Sequence, residues 1–285
     1  RLLDLLLTAP PRHFFCVSTD KAANPVNIMG ASKKLMEELI MAYAGRLPIK
    51  TARFANVAFS NGSLPLGFLE RLAKRQPWSC PLGIRRFFVS PIESGELCLM
   101  ASVMGESGDI VFPKLDEARD MIPFDQVAVD LLHALGMEPD VCASEEEARE
   151  KMREVLKCES SKVRKFVTAN GANLSNKENF RTNELTNFRT SSWPVYFFKS
   201  DTSGEKPYEE FHTAGEELDM EKFANLGVVK NAKKRPMTEI AAIFESLRAL
   251  FDSADVTKEK VVHVLKDYLP NFAHIETGKG LDQKM

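Results

Sequence analysis

The stretch from Val17 to Lys33, VSTDKAANPVNIMGASK, constrains the fold more than any other part of the chain. An apolar, β-rich run, His13 to Val17, stops at four polar residues, Ser18, Thr19, Asp20 and Lys21. A loop with Asn24-Pro25 follows, and Gly30-Ala31-Ser32-Lys33 opens an amphipathic stretch that continues past Tyr43. The pattern predicts a buried strand, a polar crossing and a helix over 27–44. Ile49 to Phe54 reads as the next strand, which makes a right-handed βαβ unit of a parallel sheet. Ligands of open α/β sheets bind beyond the carboxyl ends of the strands. That position here carries two hydroxyls, an acid and a base in consecutive residues.

The remainder extends this architecture. Arg1 to Leu7 reads as the end of a helix closed by Ala9-Pro10-Pro11. Further helices are expected at 66–74, 91–104 and 123–135, and strands at 85–90 and 109–112. Glu145 to Leu156 is a charged helix, and Ser160 to Ser192 an Asn/Thr-rich polar loop with little periodicity. Val195 to Phe198 reads as a strand, and SGEKPYEEF (203–211) as a turn entering a helix. Helices over 236–252 and 257–269 close the chain. Trp193, Tyr196, Phe197 and Phe198 read as core rather than a stacking platform. The fold class is α/β, and the chain divides into 1–137, a charged and variable insertion at 138–192, and a smaller substrate-side region at 193–285.

Composition excludes several functions. A chain of 285 residues can bury a sizeable core, and its net charge of −2 gives no global attraction to nucleic acid or anionic membrane. The cysteines, Cys16, Cys80, Cys98, Cys142 and Cys158, are scattered without metal spacing, and the histidines lie far apart. No metal site is expected, and reduced thiols suggest a cytoplasmic protein. No apolar run approaches the roughly 20 residues of a membrane span. The chain begins at Arg1 in mid-pattern, so it is expected to be a piece of a longer protein.

An adjacent acid and base in a turn suit proton transfer at a carbon beside a carbonyl. From spacing alone, the same Asp20-Lys21 pair also reads as a solvated ion pair, and Ser18-Thr19 as a turn cap. Adding Lys33 leads no further than a phosphate or sugar site.

STDKAANPVNIMGASK resembles the active-site segment of the extended short-chain dehydrogenase/reductase superfamily. It is most similar to the nucleotide-sugar 4,6-dehydratases of the polysaccharide biosynthesis proteins, which act mainly on UDP-N-acetylglucosamine. TARFANVAFSNGS (51–63), RRFFVSPIESGEL (85–97), SGEKPYEEF (203–211) and the terminal HIETGKGLDQKM continue the resemblance in order. It implies a partial NAD(P)-binding Rossmann domain over 1–137 and a carboxyl-terminal α/β substrate-binding region.

Two departures stand out. Met29-x-x-x-Lys33 replaces the superfamily's Tyr-x-x-x-Lys, as in a subgroup of these dehydratases. No Gly-rich GxxGxxG loop occurs in the sequence, so the first half of the Rossmann domain is expected to be missing.

The resemblance implies oxidation of the sugar at C4, loss of water across C5 and C6, and reduction at C6, with NAD or NADP as cofactor. Asp20 would be the general acid and Lys21 the C5 base, while Thr19 would hydrogen-bond the 4-oxygen. Met29 would fill the tyrosine's place, and Lys33 would hold the nicotinamide ribose. Ser18 and Asn56 would also face the cofactor, and Asn56, Asn61 and Arg86 the sugar-nucleotide diphosphate. The expected partners are a nucleotide sugar and a second copy of the chain, with neither nucleic acid nor metal. A 4-epimerase or reductase on the same scaffold is the alternative, and a non-catalytic fragment is a third reading.

Overall fold

The protein is described from a computed structural model, which covers residues 1–170, 191–200, 205–274 and 276. Helix α1 (Leu2–Thr8) precedes strand β1 (Phe14–Thr19), and one 3-10 turn, Asp20–Ala22, leads towards α2 (Ile28–Ala42). Asn27 caps α2 by accepting from the Gly30 backbone at 2.8 Å. Then follow β2 (Ile49–Phe54), β3 (Asn56–Val57), α3 (Leu64–Ala73), β4 (Trp78–Leu82) and β5 (Arg85–Val89). Next come α4 (Pro91–Met104), β6 (Ile110–Pro113), α5 (Glu117–Asp120), β7 (Met121–Pro123) and α6 (Phe124–Ala134). The chain continues through β8 (Glu138–Cys142), α7 (Glu145–Asn170), β9 (Ser192–Lys199), β10 (Leu218–Asp219) and β11 (Leu226–Val229), and ends in α8 (Met237–Asp252) and α9 (Lys258–Tyr268).

Two compact units form, one from 1–58, 85–121 and 201–285, the other from 59–84 and 122–200. They interleave along the sequence, whereas the linear reading divides it at 137 and 192. The first unit holds a five-stranded sheet in the order β1-β2-β6-β11-β10. β1, β2 and β6 are parallel, while β11 runs antiparallel to β6.

Alternate residues of β2 face opposite sides of this sheet, as the pleat requires. Ile49 joins Ile40 and Met41 of α2 in one core, and Ala52 and Phe54 join Leu97 and Ala101 of α4 in another. So α2 and α4 cover opposite faces, the doubly wound arrangement expected of this α/β chain. The outer side of α2 packs through Ala31 and Leu35 on Ile240 and Ile243 of α8 and Val261 and Leu265 of α9. That second contact explains the breadth of the apolar stripe on α2.

The helix over 91–104 forms with those bounds because its amino terminus carries a full capping box. Ser90 Oγ accepts from Glu93 N at 3.1 Å, and Glu93 Oε2 accepts from Ser90 N at 2.6 Å. Ser90→Ala should therefore cost about 1 kcal/mol, read as a lower denaturation midpoint with unchanged slope.

The second unit is built on a parallel sheet in the order β4-β9-β8. Trp78 of β4 and Trp193 of β9 are fully buried in one core, and Phe68 stacks on Trp78 at 4.6 Å. Trp193 Nε1 donates to the Gln76 carbonyl at 3.2 Å, the partner a buried indole needs.

Several expectations change. β1 is half-buried rather than buried, with Val17 51% exposed, because β2 is its only neighbour among the described residues. Helix α7 runs on to Asn170, so the polar loop does not begin at Ser160. Residues 171–190 of that expected loop, and most of the terminal motif from 274, lie outside the described residues. The helix expected after SGEKPYEEF is absent, for residues 205–216 form turns and extended chain. Strands β4, β8, β10 and β11 have no counterpart in the sequence reading. They are short, and β4 and β8 each contain a proline, which weakens a strand signal.

Candidate active site

The βαβ unit sets the 3-10 turn of Asp20 and Lys21 at the carboxyl end of β1, beside the end of β2. Asp20 is 2% exposed. Its Oδ1 accepts from Thr19 Oγ1 at 2.7 Å, Lys21 N at 2.8 Å and Lys21 Nζ at 2.9 Å. Lys21 Nζ also donates to Asn56 Oδ1 at 3.3 Å. The pair is thus no solvated surface contact. The carboxylate is buried, and the ammonium lies between it and the first residue of β3.

Gly30 allows the helix to approach this turn. A Cβ there would lie 2.7 Å from the Lys21 carbonyl oxygen. One residue earlier, Met29 is 48% exposed and offers a thioether surface. Lys33, one turn further, is half-buried and forms no hydrogen bond or ion pair among the described residues. Its charge reaches Cys16, where burial nonetheless pushes the thiol up.

Ser18 faces away from this cluster. It is buried, and its hydroxyl donates to Glu37 Oε1 at 2.6 Å. The strand's alternation explains this, since Ser18 and Thr19 point to opposite faces. Glu37 belongs to a network that the sequence reading missed. Arg53, 0% exposed, binds Glu37 through Nε and Nη2, both at 2.9 Å. It binds Glu216 through Nη1 at 2.9 Å and Nη2 at 2.8 Å, and donates to the Phe211 carbonyl at 2.9 Å. Burial would raise both carboxyls, but the guanidinium and its hydrogen bonds hold them below the ordinary range. A glutamate on the same helical stripe as Ile40 and Met41, and an arginine inside the apolar strand IKTARF, were the available signals.

Arg86 is buried on β5. Its Nη1 donates to the carbonyls of Arg85 at 2.8 Å, Lys206 at 3.0 Å and Pro207 at 3.3 Å. The Arg85 backbone N–H adds a bond to the Pro207 carbonyl at 2.8 Å. These contacts hold the EKPYEEF segment extended along β5. From the same segment Glu210 accepts from Asn24 Nδ2 at 2.9 Å, and Lys206 lies 3.5 Å from Glu210. Glu209 approaches Arg86 at 3.8 Å and sits within the fields of Lys21 and Asp20. Thr19, Asp20, Lys21, Asn56 and Arg86 thus share one unit with Met29 and Lys33. Asn61 is exposed in the second unit.

The polysaccharide biosynthesis protein family model matches residues 4–170, more than half of the chain. The chain belongs to that family. An uncharacterized membrane protein of Methanocaldococcus jannaschii is 31% identical over 145 residues, which are 49% of this chain and 44% of that protein. A UDP-glucose 4-epimerase of Rickettsia massiliae is 36% identical over 104 residues, 34% of this chain and 30% of the relative. The probable polysaccharide biosynthesis protein EpsC of Bacillus subtilis is 29% identical over 126 residues, covering 43% of this chain and 21% of its own length. The family member described here therefore spans less than half the length of these curated relatives. A crystal structure of Pen from Bacillus thuringiensis superposes with a TM-score of 0.54 at 16% identity, over 82% of this chain and 58% of that one. That likeness concerns the fold. Among the described residues no helix is long and apolar enough to cross a membrane, and no three His, Cys, Asp or Glu side chains group as a metal ion would need.

The residues present fit one end of a nicotinamide dinucleotide. Lys33 offers a half-buried cation without an ion-pair partner among the described residues, one helical turn from Met29. A pyrophosphate cradle of the GxxGxxG kind is not among the residues of this chain.

Proposed function

We propose that this family member carries the acid/base half of a nucleotide-sugar 4,6-dehydratase, acting on a UDP-N-acetylglucosamine-type substrate with NAD or NADP. The observation that supports this reading is the buried Asp20 carboxylate 2.9 Å from Lys21 Nζ at the strand end, beside a methionine where the superfamily places its proton-shuttling tyrosine. The cofactor, when bound, supplies a temporary acceptor for the C4 hydride. The chain's residues then manage protons. Lys21, as the free amine, removes the proton at C5, which a C4 ketone acidifies. Asp20, in its acid form, protonates the departing 6-hydroxyl, so that water leaves. Thr19 directs its hydroxyl at the 4-oxygen once it turns from Asp20. Lys33 binds the nicotinamide ribose, Asn56 holds the diphosphate, and Arg86 orders the segment beside it.

A second reading, a nucleotide-sugar 4-epimerase, is favoured by the 36% identity to the UDP-glucose 4-epimerase over 104 residues. Met29 weighs against it, because a thioether has no proton to exchange with the 4-oxygen. Mass spectrometry of the product made by the full-length protein from UDP-N-acetylglucosamine separates the two. A product lighter by one water supports dehydration, an isobaric product epimerisation, and unchanged substrate neither.

Met29 also yields a test of its own. Met29→Leu conserves volume and apolarity, so most activity should remain, with a stability cost below ~1.5 kcal/mol. Activity as low as that of a Lys21 variant would show that the thioether has a chemical role.

A further inference from the structure

A cavity of about 320 Å³ opens in the first unit, beside the loop that joins the Asp20–Lys21 turn to α2. The proposed mechanism does not use it, although its size falls within the roughly 300–1,000 Å³ of small-molecule sites. Ala23 and Pro25 form part of its wall, and the Ala23 N–H donates to the Asp20 carbonyl at 3.1 Å. Lys34, Glu38 and Met41 line it from one stripe of α2. Met29 and Lys33 are not among its lining residues, for Lys33 lies about 100° round the helix from Lys34. The cavity is therefore separate from the proposed nicotinamide side.

Its charges do not balance. The carboxylates of Glu37 and Glu216 in its wall are already held by Arg53. Glu38 faces Arg235, whose Nε stands 2.7 Å from Glu38 Oε2. Two lysines are left over. Lys34 Nζ has one ion pair, at 3.6 Å to the Glu37 carboxylate that Arg53 binds through both oxygens. Lys233 is exposed and makes no hydrogen bond or ion pair among the described residues. With Arg53 included, four cations thus meet three carboxylates. Leu269 and Pro270 add an apolar stretch to the wall.

We propose that this cavity binds a small organic acid. Lys34 and Lys233 take its carboxylate in charge-assisted hydrogen bonds, and a short apolar body lies against Leu269 and Pro270. Such an occupant rests against Ala23 and Pro25, and so against the loop that follows the proposed acid/base pair. Binding there does not depend on the dehydratase reading, and the test reads binding alone.

The probe is butyrate, with butyramide as its uncharged analogue, each titrated into the full-length protein and followed by saturation-transfer NMR. UDP and NAD are present in excess, which keeps the probe from the proposed substrate and cofactor sites. Butyrate should bind, and butyramide about tenfold more weakly, because it has no charge for the lysines. Lys233→Glu sets a like charge beside the carboxylate and should weaken butyrate by about tenfold. Lys234→Glu is the control: the same charge change on the next exposed residue, outside the cavity lining, should alter affinity by less than about twofold. Lys34→Gln tests the second lysine and should also weaken butyrate. Equal thermal midpoints show that the variants keep the fold. The proposal is overturned by no butyrate binding, by equal binding of butyramide, or by equal losses in Lys233→Glu and Lys234→Glu. An affinity unchanged in both Lys233→Glu and Lys34→Gln overturns it as well.

Discussion

On the proposed function, Lys21→Met in the full-length protein should reduce single-turnover formation of the 4-keto-6-deoxy product by about 10²–10⁴-fold, the usual contribution of a general acid–base group. The substitution keeps an unbranched side chain of similar length and removes only the group that accepts protons. It also leaves Asp20 with the Thr19 hydroxyl and the Lys21 backbone N–H as donors, so the turn keeps two of the three bonds to Oδ1. Wash-in of solvent deuterium at C5 isolates the step, because exchange requires the base but not completed elimination. Exchange at the wild-type rate in Lys21→Met would remove Lys21 from the C5 position and return the role to Asp20 or a water. Loss of exchange with loss of folding would show only damage, so the thermal midpoint is measured on the same samples. The proposed base is a modest stability element, for it is partly exposed in its ion pair with Asp20.

Arg53→Met should be strongly destabilising, at about 3–5 kcal/mol, because it leaves two largely buried carboxylates with Lys34, 3.6 Å from Glu37 Oε2, in place of the bidentate guanidinium. Glu37 lies almost fully buried against it and Glu216 is 15% exposed at its side chain. With ~2–4 °C per kcal/mol for a domain of this size, the thermal midpoint should fall by about 10 °C. The sign of the pH dependence follows from the two glutamates. Their folded-state carboxyls lie below the unfolded value. They therefore contribute stability above about pH 4.3, the ordinary carboxylate value, and lose it as pH falls through their folded-state range. The gap between wild type and Arg53→Met should thus be widest near neutrality and narrow in acid. Adding Glu37→Gln and Glu216→Gln to Arg53→Met removes the stranded charges and should recover part of the loss. A cost below 1 kcal/mol for Arg53→Met would mean that water reaches the network and that its burial is not what holds the 211–216 loop to β2.

The sequence by itself determined the strand, polar crossing and helix around Asp20 and Lys21, the α/β class, and the helices at 91–104, 236–252 and 257–269. Each of these is written in local chemistry: a period of apolar residues, a cap such as Asn27 or the Ser90–Glu93 box, a proline at a first turn. The motifs also carried enough of the family's pattern to indicate nucleotide-sugar chemistry and to mark Met29 as a departure.

The tertiary structure alone decided which distant groups meet. The EKPYEEF segment reaches β5 because Arg86 binds the Lys206 and Pro207 carbonyls, and no local period announces a contact between parts so far apart in the chain. EKPYEEF stays extended for the same reason, since its backbone partners lie on β5 rather than one turn away. Ser18, placed with the cofactor residues by resemblance, turns to Glu37 because the pleat sends it to the other face from Thr19. Arg53 and Glu37 look out of place in apolar patterns until the fold brings them together, where opposite charge and complete burial make each the condition for the other.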